Sequence, residues 1–126
     1  MTAENKILKI LLVEDEPLAQ FVHYKMLKDM GYTPDLAENG KKALDMSIND
    51  YDLILMDIGL PDINGIEVTS EIRRREIDEN KKRSCIIALT AYRIEEVGEK
   101  CFAAGMNDVA SKPITEYELR QLITKS

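Results

Sequence analysis

The chain has 126 residues, of which 44% are apolar, and this length and composition predict one compact domain with a buried core. Its net charge of −6 disfavours direct contact with nucleic acid or with an anionic membrane surface. No apolar run is long enough to cross a bilayer, and residues 1–6 lack the basic and apolar pattern of a signal peptide, so we expect a cytosolic domain.

The first part of the chain predicts two units of a strand followed by a helix. Ile7 to Val13 is an almost continuous aliphatic run, typical of a buried strand, and Thr33 to Ala37 predicts a second, shorter strand. Pro17 begins a helix that ends at Gly31, and Asn39-Gly40 precedes another helix. Helical spacing places these side chains inward: Ala19, Val22, His23, Met26, Leu27 and Met30 in the first helix, and Ala43, Leu44 and Ile48 in the second.

The rest of the chain predicts three more strands, each followed by a helix. The strands are Tyr51 to Asp57, Cys85 to Thr90 and Asp108 to Ser111. The first of these helices runs from about Ile66 to Ile77. The second ends at Gly105 and has Val97, Cys101 and Ala104 inward, and the third runs from Thr115 to Thr124 with Leu119, Leu122 and Ile123 inward.

This alternation predicts an α/β architecture. Five strands that alternate with five helices over short connections imply right-handed crossovers and a doubly wound, mostly parallel sheet with helices on both faces. In such sheets, ligands bind at the carboxyl ends of the strands, near the point where the strand order reverses. The residues at the end of each strand are therefore the candidates for function.

Polar residues stand at four of these strand ends. Glu14 and Asp15 follow the first strand, Asp57 ends the third, Thr90 ends the fourth, and Lys112 follows the fifth. Three carboxylates at one edge would repel each other unless a cation lay among them. Oxygen donors favour a hard ion, and a site that keeps waters and a position for phosphate favours Mg²⁺ over Ca²⁺.

The same residues indicate phosphoryl transfer. Asp57 would be the nucleophile and would form an acyl phosphate, while Lys112 supplies a positive contact and Thr90 a hydrogen bond. Each residue alone has a simpler interpretation: a helix N-terminal acid, a turn hydroxyl or a surface lysine. Their order on four strand ends favours the functional interpretation.

Three other reactive side chains are interpreted as structural. Cys85 and Cys101 lie within apolar patterns and outside any C-x-x-C, so we expect reduced, packed thiols. His23 is the only histidine, which excludes a metal site with several histidines.

Four motifs carry a resemblance to a known family. They are L-L-V-E-D-E at residues 11–16, M-D-I-G-L-P-D-I-N-G at 56–65, A-L-T-A at 88–91 and S-K-P-I at 111–114. In order and spacing, from Ile7 to Ile123, the chain closely resembles the receiver domains of response regulators and hybrid sensor kinases. The resemblance implies one receiver domain over residues 1–126, with a five-stranded parallel sheet in the flavodoxin-like order 2-1-3-4-5. We expect a monomer.

The resemblance also implies roles at the acidic edge. Asp57 matches the phosphoacceptor of the family, Asp15 a direct magnesium ligand, and Glu14 a ligand that acts through water. The backbone carbonyl of Gly59 matches a further metal ligand.

Three further positions follow from the same match. Thr90 and Lys112 correspond to the hydroxyl and the lysine that contact phosphate, and the Lys112–Pro113 bond corresponds to a cis peptide bond. Many receivers carry an aromatic switch residue on the fifth strand, but this chain has Val109 there. The substitution weakens the expectation of an aromatic output switch and leaves the phosphorylation chemistry untouched.

We favour a relay function, in which Asp57 takes a phosphoryl group from a kinase histidine and passes it to a histidine phosphotransfer domain. The E-D-E context, which is similar to hybrid-kinase receivers, and Val109 favour this function. Leu18 and Phe21 lie opposite the buried stripe of the first helix, where they could contact a partner helix, although scattered exposed apolar residues are common. The proposed partner surface comprises Leu18, Phe21, Pro113 and Ile114.

Other functions are compatible with parts of the pattern. A stand-alone regulator would bind a target protein when phosphorylated, with changes expected around residues 92–105. A magnesium-dependent phosphatase of the haloacid dehalogenase type needs a second acid two residues after the nucleophile, where this chain has Gly59. A nucleotide-binding module is excluded, because the acids after the first strand would repel phosphate. We expect the chain to be either a whole single-domain protein or the cytosolic receiver of a hybrid kinase, which could itself be membrane-bound.

Overall fold

The structure, a computed structural model, describes residues 8–125, in which strands and helices alternate along the chain. The strands are β1 (Ile10–Val13), β2 (Asp35–Ala37), β3 (Leu53–Asp57), β4 (Cys85–Thr90) and β5 (Asp108–Ser111). The helices are α1 (Pro17–Asp29), α2 (Gly40–Met46), α3 (Gly65–Asp78), α4 (Ile94–Ala103) and α5 (Glu116–Lys125), and a 3₁₀ turn at Ser47–Asn49 follows α2.

The strands form one parallel sheet in the order β2-β1-β3-β4-β5, which confirms the predicted doubly wound topology. The strand order reverses between β1 and β3, because the chain first turns from β1 to β2 and then returns to the other side of β1. The register pairs Val13 with Met56, Asp57 with Leu89 and Thr90 with Ser111. The carboxyl ends of four strands are therefore brought to one edge.

Alternating side chains of the strands fill two apolar layers, one on each face of the sheet. Such double-sided burial explains why β1, β3 and β4 are almost wholly aliphatic. On one face, the strands pack against α2, α3 and α4, through Leu11, Val13, Ile54, Met56, Ile86, Ala43, Val68, Ile72 and Cys101. On the other, they pack against α1 and α5, through Leu12, Leu53, Leu55, Ile87, Leu89, Leu27, Leu119 and Ile123.

Several predicted details differ from the structure. The first, second and third strands are shorter at their amino ends than predicted, and Ile7 lies outside the described residues. Ile48 was predicted to face inward but is 65% exposed, because α2 gives way to a 3₁₀ turn whose larger angular step carries Ile48 off the buried face. Val22 is 39% exposed, because the buried stripe of α1 is centred on His23 and Leu27. Between residues 8 and 125, no helix has the length and apolar character needed to span a bilayer.

The turn between β3 and α3 is held by side-chain caps. The Asp62 carboxylate accepts hydrogen bonds from the backbone N–H groups of Gly40 and Lys41, at 2.8 and 2.9 Å, and so ties the turn to the first residues of α2. These bonds lower the pKa of Asp62 to about 2. Asn64 caps α3 by accepting a bond from the N–H of Glu67. The position of the β3 carboxyl end is therefore fixed from two helices.

Gly65 is packed directly against the end of β3. A Cβ atom at this position would lie 2.3 Å from the backbone oxygen of Asp57 and 2.9 Å from Cγ of Met56. Backbone atoms cannot yield as a flexible side chain can, so only glycine fits here without displacing Asp57.

We predict that Gly65→Ala lowers the free energy of unfolding by about 1–3 kcal/mol, the usual cost of overpacking. Gly59→Ala is the matched control in the same turn, because a Cβ there would have its nearest neighbour, Asp57 Oδ1, at 3.9 Å. The control should change stability by about 0.5 kcal/mol or less. Urea denaturation followed by circular dichroism measures both values, and equal losses in the two variants would contradict this account of Gly65.

Candidate functional site

Three carboxylates meet at the carboxyl edge of the sheet, beside the reversal of strand order. Glu14 and Asp15 directly follow β1, and Asp57 is the last residue of β3. Each offers an oxygen that lies within 4.8 Å of the other two, so the three could hold a metal ion. Glu14 and Asp57 are buried, and Asp15 is partly exposed. The convergence predicted from the strand ends is confirmed.

Lys112 lies between two of these acids. Its ammonium nitrogen is 2.9 and 3.0 Å from the two carboxylate oxygens of Glu14 and 3.4 Å from Oδ1 of Asp57. The backbone N–H of Lys112 donates to the carbonyl of Thr90 at 2.8 Å, which extends the pairing of β4 with β5 by one residue. The lysine therefore reaches the acids from a backbone fixed by the sheet.

Thr90 and Gly59 complete the polar edge. Thr90 is buried at the end of β4, and its hydroxyl oxygen accepts a hydrogen bond from the N–H of Tyr92 at 2.8 Å. The N–H of Gly59 donates to Oδ1 of Asp57 at 3.1 Å. The Lys112–Pro113 bond is cis, as the resemblance implied.

The electrostatics of the site reflect burial and crowding. Burial raises the pKa of Asp57, and its hydrogen bond with Glu14 and the negative charge of Glu14 raise it further. Burial and the hydrogen bond with Asp57 also raise the pKa of Asp15. Burial alone would raise the pKa of Glu14, but contacts with His23, Asp57 and Lys112 together lower it. Of the two buried acids, Glu14 is thus held in the ionised form, while Asp57 resists ionisation.

The donor set fits a small divalent cation. Carboxylate oxygens are hard ligands, and a cation among them would remove the repulsion that raises the pKa of Asp57. One lysine contacting two acids leaves the cluster with an excess of negative charge. A hard dication that retains water ligands, such as Mg²⁺, matches this chemistry better than a softer metal.

The importance of His23 at the site was missed in the sequence. It was interpreted as structural because it lies on the inward stripe of α1, and it is only 4% exposed. Its Nδ1 atom nevertheless lies 3.5 Å from Oε1 of Glu14. One turn earlier on α1, the side-chain amide of Gln20 donates to the backbone carbonyl of Glu14. Helical spacing alone could not reveal either contact, since it shows which face of α1 a residue occupies but not how that face lies against the end of β1.

Three of the four residues of the predicted partner surface are exposed. Leu18 and Phe21 are 67% and 66% exposed on α1, and Pro113 is exposed in the same groove as Leu18. Ile114 was predicted to belong to this surface, and this is wrong: it is 3% exposed and packs in the same apolar layer as Leu119. Two grooves of about 330 and 350 Å³ flank α1, one lined by Leu18, Val22, Lys112 and Pro113, the other by Pro17, Gln20, Phe21, Tyr24 and Leu36.

The position of the expected aromatic switch is occupied by a small side chain. Val109 is half-buried in β5 and packs against the apolar layer that contains α4. A groove of about 360 Å³ runs along this side of the molecule, lined in part by Ile94, Val109, Tyr117 and Leu122.

The sheet order and the acidic cluster with its lysine define a doubly wound α/β domain of the flavodoxin-like class, with its site at the reversal of strand order. The sequence profile of the response regulator receiver domain matches residues 10–124, and the chain belongs to this family. It is accordingly a receiver domain of two-component or phosphorelay signalling.

Two curated relatives illustrate its range. The chain is 43% identical to hybrid signal transduction histidine kinase B of Dictyostelium discoideum, over 96% of this chain and 7% of that protein. It is 37% identical to two-component response regulator 24 of Arabidopsis thaliana, over 98% of this chain and 86% of that protein. The chain spans no more than 15% of the length of the first curated hybrid and sensor kinases it matches.

Two solved structures share the fold and more than a quarter of the sequence. One is the receiver domain of a sensor histidine kinase from Pseudomonas aeruginosa, with magnesium coordinated in its active-site cleft: TM-score 0.84 and 40% identity, over 95% of this chain and 97% of that one. The other is a complex from Saccharomyces cerevisiae between the histidine phosphotransfer protein Ypd1 and the receiver domain of the response regulator Ssk1: TM-score 0.89 and 29% identity, over 94% and 88% of the two chains.

The raised pKa of Asp57 generates a stability prediction. Because the folded chain binds a proton at Asp57 more tightly than the unfolded chain does, stability falls as the pH rises through the folded-state pKa. At neutral pH and without divalent cations, we expect Asp57→Asn to raise the free energy of unfolding by on the order of 1 kcal/mol, as for other strained functional groups.

This gain should shrink as the pH is lowered, because Asp57 then takes up a proton, and should also shrink when Mg²⁺ is added. Urea unfolding in the presence of a chelator, repeated over a pH series, measures the effect. Asp45→Asn removes an exposed carboxylate on α2 and serves as the control for net charge. A destabilised Asp57→Asn protein at neutral pH would contradict the crowding of charge described above.

Proposed function

We propose that the chain accepts a phosphoryl group on Asp57 from a phosphorylated kinase histidine and passes it on to a histidine phosphotransfer domain. The single observation that carries this proposal is the meeting of Glu14, Asp15 and Asp57 with Lys112 at one edge of the sheet. Phosphoryl transfer requires a nucleophile and positive charge close to the phosphate. The acidic cluster can supply the nucleophile and bind a cation, and the lysine can move from one acid to the phosphate.

Glu14, Asp15, Asp57 and the carbonyl of Gly59 are the residues that would hold Mg²⁺, with Asp15 in direct contact and Glu14 acting through water. When bound, the ion supplies positive charge to the phosphoryl oxygens and keeps Asp57 ionised for attack. The similar receiver from P. aeruginosa with magnesium in its cleft supports this assignment.

Asp57 attacks as a carboxylate. One of its oxygens forms a bond to phosphorus while the bond between phosphorus and the donor imidazole nitrogen breaks. The imidazole, protonated from solvent on its other ring nitrogen, takes the electron pair of the broken bond and leaves as a neutral ring. Lys112 shifts from Glu14 towards the new phosphoryl oxygens, a short movement because its ammonium is already 3.4 Å from Asp57. Thr90 donates its hydroxyl to a phosphoryl oxygen.

The apolar surface of α1 is the proposed docking face for the phosphotransfer partner. Leu18 and Phe21 project from α1, and the groove beside Leu18 is also lined by Lys112, so a helix seated there would bring its histidine towards the acids. The structurally similar receiver in complex with Ypd1 favours a histidine phosphotransfer protein as the occupant.

A stand-alone output function is the second candidate. It is favoured by the similarity to response regulator 24, since this chain covers most of that protein. Such a function would need a surface that changes on phosphorylation, and Thr90 could provide it by releasing the N–H of Tyr92. Val109 offers no aromatic ring to follow this movement, so the relay remains the better-supported function.

Phosphorylation at Asp57 is tested with a small phosphodonor. Incubation with acetyl phosphate and Mg²⁺ should retard the wild-type chain on a phosphate-affinity gel, whereas Asp57→Asn should run unshifted and chelation of Mg²⁺ should abolish the wild-type shift. Asp45→Asn, which changes an exposed carboxylate on α2, is the control and should still be labelled. A shifted Asp57→Asn band would place the acceptor elsewhere.

The docking face is tested by separating transfer from labelling. The test uses a histidine phosphotransfer protein that accepts the phosphoryl group from the wild-type chain. Phe21→Ala should slow transfer to this protein about tenfold, because one well-packed aromatic anchor is lost. Labelling by acetyl phosphate should not change, because Phe21 does not belong to the acidic cluster.

Phe102→Ala removes the other phenylalanine, which is 52% exposed on α4, and serves as the control for loss of an exposed ring. Stopped-time gel assays of both variants measure transfer. Equal transfer rates for Phe21→Ala and the wild type would remove α1 from the docking face.

A further inference from the structure

The most unusual group near the acidic cluster is the single histidine of the chain. His23 is 4% exposed on α1, and its Nδ1 atom faces Oε1 of Glu14 at 3.5 Å. Within residues 8–125, this nitrogen has no other hydrogen-bond partner. A buried polar atom aimed at a buried carboxylate, and at nothing else, calls for an explanation, because such atoms are nearly always paired.

We infer that His23 is a positioning residue, which holds the carboxylate of Glu14 in place for metal binding through a proton on Nδ1. This inference rests on the proposed function, in which Glu14 belongs to the magnesium site. A movement of a few tenths of an ångström closes the present contact to an ordinary hydrogen bond. The carboxylate of Glu14 is paired with the ammonium of Lys112 at both oxygens and can only accept hydrogen bonds, so the shared proton lies on the histidine.

The geometry shows why Glu14 needs this support. The ammonium of Lys112 contacts both carboxylate oxygens of Glu14, but Lys112 has to move towards Asp57 when a phosphoryl group is transferred there. His23 lies on a different element from the lysine and does not take part in the transfer. It therefore keeps hold of Glu14 in the state in which Lys112 has left.

Helix α1 thus supports Glu14 at two points. Gln20 holds its backbone carbonyl and His23 holds its side chain, and the two residues are three positions apart on the same face of the helix. Side chains that orient a metal ligand without touching the metal commonly change metal affinity by 10- to 100-fold. Because Glu14 would act through water, we expect His23 to contribute at the lower end of that range.

The first test uses the wild-type chain and needs no metal. Long-range ¹H–¹⁵N correlation spectra of the imidazole show which ring nitrogen carries a proton, and a single histidine gives an unambiguous signal. We expect a proton on Nδ1. A ring protonated only on Nε2 would overturn the inference, because Nδ1 would then present a lone pair to the carboxylate.

The second test measures Mg²⁺ affinity by titration calorimetry of two variants. His23→Leu fills a similar volume without a donor and should weaken Mg²⁺ binding about tenfold. His23→Asn places an amide nitrogen near the position of Nδ1 and should recover most of the affinity, a rescue that mere packing would not give. Thermal unfolding of each variant shows that it is folded under the titration conditions.

The outcomes separate this inference from the proposed function. A wild-type chain that takes up no Mg²⁺ overturns the proposed magnesium site itself, whatever the variants do. A wild-type chain that binds Mg²⁺ while His23→Leu binds it equally well overturns the role of His23 alone. If both variants are equally weak, the loss comes from packing, and the inference also fails.

Discussion

Repulsion among three carboxylates is the constraint on which the rest of this molecule depends. Two like charges about 5 Å apart at a partly buried site repel by roughly 3 kcal/mol at an effective dielectric constant near 20. A small domain has a net stability of only about 5–15 kcal/mol, so such a cluster is a substantial cost. The parallel sheet brings it about, because the register that pairs Val13 of β1 with Met56 of β3 places Glu14, Asp15 and Asp57 at neighbouring strand ends.

The cost of this crowding is also what makes the site responsive. Lys112 offsets part of the repulsion while it lies on Glu14, and Thr90 is engaged with the backbone of Tyr92. In the proposed function, a cation or a phosphoryl group at Asp57 would change the charge that both side chains face, and both could then exchange one partner for another. The caps at Asp62 and Asn64 and the close packing of Gly65 hold the backbone of Asp57, so these exchanges would be confined to side chains.

The sequence predicted the strands and the acids because both leave a local pattern. Aliphatic runs that end in polar residues fix the strand ends, and parallel topology then brings Glu14, Asp57 and Lys112 together without further information. The errors lie where a side chain's environment depends on a remote element. Ile48 left the core because a 3₁₀ turn replaced a helical one, and Ile114 turned inward to pack with α5.

Buried polar contacts across distant elements were also beyond the sequence pattern. Arg73 is buried, although it occupies a charged stretch of α3, because it bonds to Glu76, to the carbonyl of Gly105 and to Asn107. Ser84 follows the charged, polar residues that connect α3 to β4 but is buried, since its N–H and hydroxyl both donate to Glu76. Charge patterning identifies such residues as solvent-exposed, and only the three-dimensional partners show that they join α3 to the start of β4 and the end of α4.

Helix α1 links the proposed docking face to the acidic cluster. Its outward side carries Leu18 and Phe21, and its inward side carries Gln20 and His23, which contact Glu14. The groove beside Leu18 is lined by both His23 and Lys112, so a partner seated there would lie against the residues that hold and neutralise Glu14. Since a rigid helix cannot shift one side without the other, a partner docked on α1 and a cation bound by the acids would each favour the same placement of this helix. Relay chemistry needs this property, because the phosphoryl group has to be transferred while the partner is bound and the cation is in place.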